Sequence, residues 1–170
     1  MTVMYAYALY KNGFAKEGFE VLQSIYRMSM DTSKSKIYPG IPEYFDSEGR
    51  GMYPYLTGSA SWLVLTQLTQ VFGVRGRGGD LLLSPKLVKE EFNAKGVAAV
   101  SCQFAGTRLH IQYMNPSKLD YGRYAVQEVC LGTKPLPFEQ VAFNIVRIKR
   151  ELIARIPTDS TISVRLGKAH

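Results

Sequence analysis

The chain has few of the residues on which metal centres and disulfide scaffolds depend. Two cysteines and two histidines occur among its 170 residues. Cys102 and Cys130 lie far apart, with no histidine or cysteine at ligand spacing around them. The sequence therefore predicts no disulfide framework, no zinc site and no other metal site.

Long apolar runs are also missing, so we expect no membrane helix. The first residues do not combine a basic region, an apolar core and a cleavage site, so we expect no secretory signal and a cytoplasmic location. A composition that is 46% hydrophobic and 12% aromatic is typical of a folded protein.

The positive charge is concentrated in one half of the chain. Residues 76–170 hold fourteen Lys and Arg against eight Asp and Glu, whereas residues 1–75 hold seven against six. A basic half is one signature of nucleic-acid binding. Its cations alternate with apolar residues along predicted strands, however, which is typical of a solvated sheet face. No nucleic-acid-binding motif is present, so we do not expect nucleic acid as a partner.

The most informative stretch is a predicted helix that begins at about Ser59 and ends before Gly73, with Ser59 as its N-cap. Its first turn has backbone N–H groups without internal partners and the positive end of the helix dipole. The hydroxyls of Thr57 and Ser59 lie beside it, and Gly58 allows close approach. We predict an anion site there, for phosphate above all; the alternative is an ordinary capped core helix. The predicted packed face comprises Ala60, Leu63, Val64, Leu68, Val71 and Phe72.

Two further helices are predicted before this one. Residues 3–10 are apolar almost all round, which predicts a deeply buried helix that Gly13 ends. No cap precedes it, so we expect its natural start to be missing. A second helix is predicted from Ala15 to Met28, and the pair forms a helical hairpin.

Residues 29–58 show little periodicity, which is typical of a binding loop or of a partly ordered surface loop. Aromatic rings offer flat faces to sugars, and charged side chains offer partners to sugar hydroxyls. The predicted sugar-binding residues are Tyr38, Glu43, Tyr44, Arg50, Tyr53 and Tyr55.

From residue 76 the pattern changes to short strands separated by turns, which predicts a β-sandwich domain over 76–170 after a helical domain over 1–75. His110, in the middle of a strand, and His170 are interpreted as structural or disordered. The predicted strands are Leu81–Leu83, Val97–Phe104, Arg108–Tyr113, Tyr124–Leu131, Phe143–Ile148 and Thr161–Leu166.

Three segments resemble the C-terminal third of glycoside hydrolase family 94, the inverting disaccharide and oligosaccharide phosphorylases. They are Tyr55–Trp62, Gly79–Leu87 and Tyr113–Pro116. Ile37–Arg50 is most similar to the 1,2-β-oligoglucan phosphorylases and to the phosphorylase-like part of cyclic β-1,2-glucan synthases. The resemblance implies an α plus β fold, with the last helices of an (α/α)6 barrel followed by a C-terminal jelly-roll-like β-sandwich.

The resemblance also implies a function and partners. A phosphate contact of the family maps onto Thr57 and Gly58, with Ser59 beside them. The whole enzyme uses no cofactor, and inorganic phosphate is its co-substrate, exchanged with glucose 1-phosphate against an oligosaccharide. The family's catalytic acid lies upstream, so we expect no catalytic residue here, a truncated reading frame and no activity of this chain alone. The expected partners are the remainder of the barrel and a second copy of the chain.

Two other functions stay open at this point. One is a non-catalytic carbohydrate-binding or scaffold module, which the aromatic loop favours. The other is a basic β-domain that binds nucleic acid or another polyanion, which the charge of residues 76–170 favours.

Overall fold

A computed structural model of the chain describes residues 2–37, 40–54 and 57–169. The chain divides into two compact units between Gln70 and Val71. Helix accounts for 31% of the residues and strand for 34%, so the fold is mixed α and β, and its sheets are not closed. Within the described part of the chain, no helix combines the length and apolarity that crossing a membrane requires.

The first unit consists of helices and one small hairpin. Helix α1 spans Thr2–Lys11, α2 spans Ala15–Met30, and a short α3 spans Thr32–Ser35. The predicted helical hairpin is confirmed: Gly13, at φ +88°, turns the chain between α1 and α2. Gly18 of α2 packs against the ring of Tyr10 of α1.

The predicted deep burial of α1 is wrong. Val3, Ala6 and Tyr10 are buried, whereas Met4 is 47% exposed and Tyr5 60% exposed. Residues 3, 6 and 10 share one face at helical spacing, and α2 and α4 contact α1. The other apolar face of α1 meets solvent in this chain. The prediction failed because periodicity indicates an apolar face without indicating what covers it.

The third predicted helix is α4, which spans Gly58–Thr66 and continues as a π-helical turn over Gln67–Val71. Ser59 is not its N-cap. Thr57 takes that role, with extended backbone and a side chain that accepts from the Ala60 amide. Threonine and serine can both cap a helix. Thr57 is the cap because it is the last residue with extended backbone before α4 begins.

The predicted packed face of α4 is also wrong in part. Val64 is 67% exposed although Val71 is fully buried. The stripe that turns inward carries Trp62, Thr66 and Gln70 at a spacing of four. Trp62 meets the ring of Tyr7 edge-on, with centroids 5.3 Å apart, and the Thr66 hydroxyl donates to the Trp62 carbonyl. A polar pair therefore lies inside while aliphatic side chains lie outside.

Residues 41–54 contain a small hairpin that the sequence did not predict. Its strands are β1, Tyr44–Phe45, and β2, Gly51–Met52. Asp46 shapes the turn, because its Oδ1 accepts from the Glu48 and Arg50 amides, each at 2.9 Å. Asp46 is thus occupied in holding the loop.

The second unit contains two open sheets. The four-stranded sheet has the order β3-β4-β10-β9, and the five-stranded sheet has the order β5-β6-β11-β7-β8. All neighbouring strands are antiparallel except β6 and β11, which are parallel. A 3₁₀ turn at Lys89–Glu91 and a short helix α5 at Arg150–Ile153 complete the unit. The strands are β3 Val74–Arg77, β4 Asp80–Leu83, β5 Val97–Phe104, β6 Thr107–Met114, β7 Tyr124–Leu131, β8 Lys134–Pro135, β9 Glu139–Ala142, β10 Ile145–Ile148 and β11 Ser160–Lys168.

The predicted strands of this unit are confirmed, and those at 97–104 and 124–131 have the predicted bounds. Strand β3 was not among the predicted strands. Its pairing with β4 forms a hairpin closed by Gly78 and Gly79. Strands β8 and β9 were not predicted, because they are short and exposed and carry no clear alternation.

Glu91 carries a pH-dependent contribution to the stability of this unit. Burial raises the pKa of its carboxyl to about 7, from an ordinary 4.5, although the Val88 amide donates to it at 2.9 Å. Because the folded-state pKa is above the unfolded one, protonated Glu91 favours the folded state. Its contribution is complete below pH 4.5 and is lost as the pH rises towards 7.

The unfolding free energy of the wild type should therefore fall by up to about 3 kcal/mol between pH 4.5 and 7. We expect Glu91→Gln to remove this pH dependence. Urea denaturation at a series of pH values measures it. Glu90→Gln, at the exposed neighbouring carboxylate, is the control: its charge is a smaller cause of the raised pKa of Glu91 than burial, so most of the wild-type pH dependence should remain. An unchanged slope in Glu91→Gln would contradict this assignment.

Candidate functional site

The candidate site is a cleft of about 540 Å³ beside the first turn of α4. Its walls come from the start of α1, from Ile25 and Met28 of α2, from residues 41–45 and from Ser59. One side is therefore apolar, and the other carries a helix N-terminus and an acidic side chain. All of these residues belong to the first unit.

The positive end of α4 already holds an anionic group. The Ser59 amide donates to Glu43 Oε2 at 3.2 Å, and the Ser59 hydroxyl donates to the Glu43 carbonyl at 3.0 Å. A Cβ built on Gly58 would lie 3.8 Å from both carboxylate oxygens of Glu43. The carboxylate thus lies over the first turn, where the unpaired amides and the helix dipole favour negative charge.

Thr57 caps the first turn of α4. Its hydroxyl accepts from the Ala60 amide at 2.9 Å and donates to the Ile41 carbonyl at 3.3 Å. The residue is 6% exposed. Both hydrogen-bonding roles of the hydroxyl are filled, so Thr57 fixes the corner and joins it to the chain that leads into the hairpin. The Ser59 amide is the donor of this turn that meets the Glu43 carboxylate.

Two of the predicted sugar-binding tyrosines lie together. The rings of Tyr44 and Tyr53 have centroids 6.0 Å apart at an angle of 51°, and the side chains are 49% and 60% exposed. Tyr53 has φ +52°, a conformation that is uncommon for residues other than glycine. The pair presents open aromatic surface next to Glu43.

The structure does not bring every predicted residue to the cleft. Arg50 is exposed at the turn of the hairpin and does not line the cleft. Tyr38 and Tyr55 lie outside the described residues. The site that can be described therefore consists of Glu43, Tyr44 and Ser59 in the cleft, with Tyr53 beside it and Thr57 beneath.

A second cleft, of about 450 Å³, lies on the four-stranded sheet of the other unit. Arg75, Arg77 and Arg147 line it with apolar side chains between them. Arg147 contacts Glu139 and lies 3.8 Å from Asp80, so its charge is largely balanced. Burial, reinforced by the charge of Arg75, lowers the pKa of Lys86 to about 8. Lys86 does not line this cleft, which bears on polyanion binding through its three arginines.

Sequence reasoning missed one cluster. His110, interpreted as structural, has its Nδ1 2.7 Å from the hydroxyl oxygen of Ser101. The signal was present: the turn at Ala105 and Gly106 sets the β5–β6 register, and counting back from it places residue 101 opposite residue 110. Among the described residues, no group of three His, Cys, Asp or Glu side chains is arranged to hold a metal ion.

Comparison with protein-family models gives no match for this chain, and a search of curated proteins gives no match either.

Proposed function

We propose that the chain is the C-terminal part of an inverting β-glucoside phosphorylase, which reversibly converts β-linked gluco-oligosaccharides and phosphate to glucose 1-phosphate. The observation that carries the proposal is the contact between the Ser59 amide and the Glu43 carboxylate. It supports an anion seat at the start of α4, and this seat opens into a cleft.

Phosphate takes the place of the Glu43 carboxylate in this proposal. A dianion at the first turn of α4 accepts from the same Ser59 amide and gains more from the helix dipole than a single charge does. Gly58 leaves room for it, because no Cβ projects from that position. Thr57 holds the turn in place through its bonds to Ala60 and Ile41.

The sugar occupies the aromatic side of the site. Tyr44 and Tyr53 offer flat apolar faces to a pyranose ring, and Glu43, once displaced from Ser59, is free to accept from sugar hydroxyls. Arg50, Tyr38 and Tyr55 complete the proposed sugar-binding set. A β-1,2 linkage is proposed from the resemblance of residues 37–50.

The first unit also displays the surface that a larger helical assembly requires. Among the described residues of this unit, ten large hydrophobic side chains are at least 40% exposed, including Tyr5, Tyr26 and Val64. Seven of them lie on α1, α2 and α4, and extensive apolar surface on helices is typical of a face that another protein element covers. We propose that α1, α2 and α4 are the last helices of an (α/α)6 barrel, that the β unit is its sandwich, and that the rest of the barrel supplies the catalytic acid. The enzyme works in the cytoplasm, as a homodimer.

The activity test uses a protein that carries this chain together with the remaining barrel helices. We expect it to release glucose 1-phosphate from sophorose-type oligosaccharides when phosphate is present. Thr57→Val should reduce this release, because it removes the N-cap that sets the corner. Release without phosphate, or equal release by both proteins, would contradict the proposal.

Sugar binding by the isolated chain is a separate prediction. We expect Tyr53→Ala to weaken binding of a β-1,2-linked gluco-oligosaccharide by about tenfold, since one stacking face contributes roughly 1 kcal/mol or more. Isothermal titration calorimetry measures it. Tyr26→Ala is the matched control, because Tyr26 is also more than half exposed but lies on α2 and does not belong to the Tyr44–Tyr53 ring pair. Equal weakening by both variants would contradict the sugar site.

Two other functions keep some support. Exposure of Tyr44 and Tyr53 is also what a non-catalytic carbohydrate-binding module needs, and sugar binding without phosphate binding would favour it. The arginine-lined cleft on the β unit favours polyanion binding. Binding of DNA that weakens steeply as salt is added would favour that function.

A further inference from the structure

The solvent-facing side of the five-stranded sheet brings together a serine, a histidine and an aspartate. Ser101 on β5 and His110 on β6 are directly opposite in the antiparallel register. Cross-strand partners point to the same face of a sheet. The Ser101 Oγ and the His110 Nδ1 are 2.7 Å apart, a normal hydrogen-bond distance.

Asp159 reaches the other side of the same imidazole. It immediately precedes β11, which runs parallel to β6, and its amide donates to the Arg108 carbonyl at 2.9 Å. Its Oδ1 lies 3.6 Å from His110 Nε2 and 3.8 Å from Arg108 Nη1. The first distance is too long for a hydrogen bond but within ion-pair range. A carboxylate there favours the tautomer with hydrogen on Nε2, which leaves the Nδ1 lone pair facing Ser101.

A cleft of about 440 Å³ adjoins the pair and is lined by Ser101, Cys102, Gln103, Arg108 and His110. Strand β5 is at the edge of its sheet, and Ser101 is exposed. A molecule from solvent can therefore reach the serine hydroxyl. Arg108 adds a positive charge to the cleft, where negative charge develops during acyl transfer.

We propose that Ser101 is a nucleophile that hydrolyses carboxylic esters, with His110 as its general base and Asp159 as a positioning residue. In the first step, the Ser101 Oγ bonds to the ester carbonyl carbon while His110 Nδ1 takes the hydroxyl proton. The bond to the alkoxy oxygen then breaks, and this oxygen leaves as the alcohol with the proton from Nδ1. Water adds to the acyl carbon by the same route, releases the carboxylic acid and restores the serine hydroxyl.

This activity is separate from the proposed phosphorylase function. It involves a different unit of the chain, and its residues do not line the cleft beside α4. A failure of one proposal leaves the other unaffected.

The test uses the full chain with a fluorophosphonate probe and with para-nitrophenyl acetate. We expect the probe to modify Ser101, located by peptide mass spectrometry, and the ester to give an acyl group at the same residue. His110→Ala should slow modification by about 100-fold, a usual effect of losing a general base, and Ser101→Ala should abolish it. Circular dichroism should show each variant folded, because both side chains are at the surface.

Ser163→Ala is the matched control. Ser163 lies on the neighbouring strand β11, opposite Gln112, and hydrogen-bonds no histidine among the described residues. The Ser163→Ala variant should be modified at Ser101 at the wild-type rate. Equal modification of Ser101 and Ser163, or a rate at Ser101 that His110→Ala leaves unchanged, would overturn the proposal.

The role of Asp159 has its own readout. Nitrogen NMR of the His110 ring should show hydrogen mainly on Nε2 in the wild type and a shift towards Nδ1 in Asp159→Asn, together with slower modification of Ser101. An unchanged tautomer with an unchanged rate would show that Asp159 does not position the imidazole.

Discussion

Replacing Gly73 with alanine should unfold the β unit at a much lower urea concentration than the wild type. Gly73 has φ +65°, and a Cβ at this position would lie 2.0 Å from the Ser84 carbonyl oxygen and 2.2 Å from its carbon. These are main-chain atoms, which cannot rotate away as a side chain does. The Ser84 amide also donates to the Gly73 carbonyl at 3.0 Å, beside the first pair of the β3–β4 hairpin.

The expected cost combines two effects. A left-handed backbone costs alanine about 1 kcal/mol or more, and forcing an extra methyl against packed atoms adds about 1–3 kcal/mol. We therefore expect Gly73→Ala to lower the unfolding free energy by about 2–4 kcal/mol. Urea denaturation followed by circular dichroism measures it, and hydrogen exchange in β4 and β10 locates the loss.

Gly78→Ala separates the two effects. Gly78 has φ +60°, but a Cβ there would meet nothing within 4 Å. Only the backbone cost applies, so we expect a loss of about 1 kcal/mol. Similar losses for the two variants would show that contact with Ser84 does not explain the need for glycine at position 73.

The second large effect concerns phosphate. We expect Glu43→Gln to bind inorganic phosphate about fivefold more tightly than the wild type. The Glu43 carboxylate lies over the Ser59 amide, so it both occupies the donor and repels an incoming anion. Removing one charge from the first turn of a helix changes an interaction of about 1 kcal/mol, which corresponds to this change in affinity. Calorimetric titration of the full chain measures it.

Glu48→Gln is the control for this experiment. Glu48 is an exposed carboxylate of the same hairpin turn, and its amide, rather than its side chain, is bonded to Asp46. The substitution Glu48→Gln removes the same charge from the chain without changing the first turn of α4. The variant should therefore bind phosphate as the wild type does. Equal or weaker binding by Glu43→Gln would identify the Glu43 contact as an ordinary part of the helix cap.

Local sequence patterns predicted the helices and strands better than they predicted which faces of these elements are buried and which elements pair. Strands 97–104 and 124–131 have the predicted bounds because alternation and flanking turns are local signals. Strand β3 was missed because Gly76 and its charged neighbours resemble a turn, and its pairing with β4 depends on the hairpin that follows. The exposed face of α1 shows the same limit, since an apolar stripe does not reveal its partner.

For the candidate site too, the local features were predictable from the sequence and the contacts between distant residues were not. The start of α4 was predicted as an anion seat from the helix alone, and residues 57–59 do form its first turn. The cap, Thr57, also donates to the Ile41 carbonyl, sixteen residues away, a contact that a local pattern does not encode. Glu43 is equally distant from Ser59 in sequence, so its position at the helix end follows from the hairpin geometry that periodicity does not encode.

The most direct test of the phosphate seat is amide NMR of the full chain during titration with inorganic phosphate. We predict saturable shifts centred on the Gly58 and Ser59 amides, with little change elsewhere. Shifts confined to Arg75 and Arg77 on the β unit, with Gly58 and Ser59 unmoved at saturation, would contradict the account.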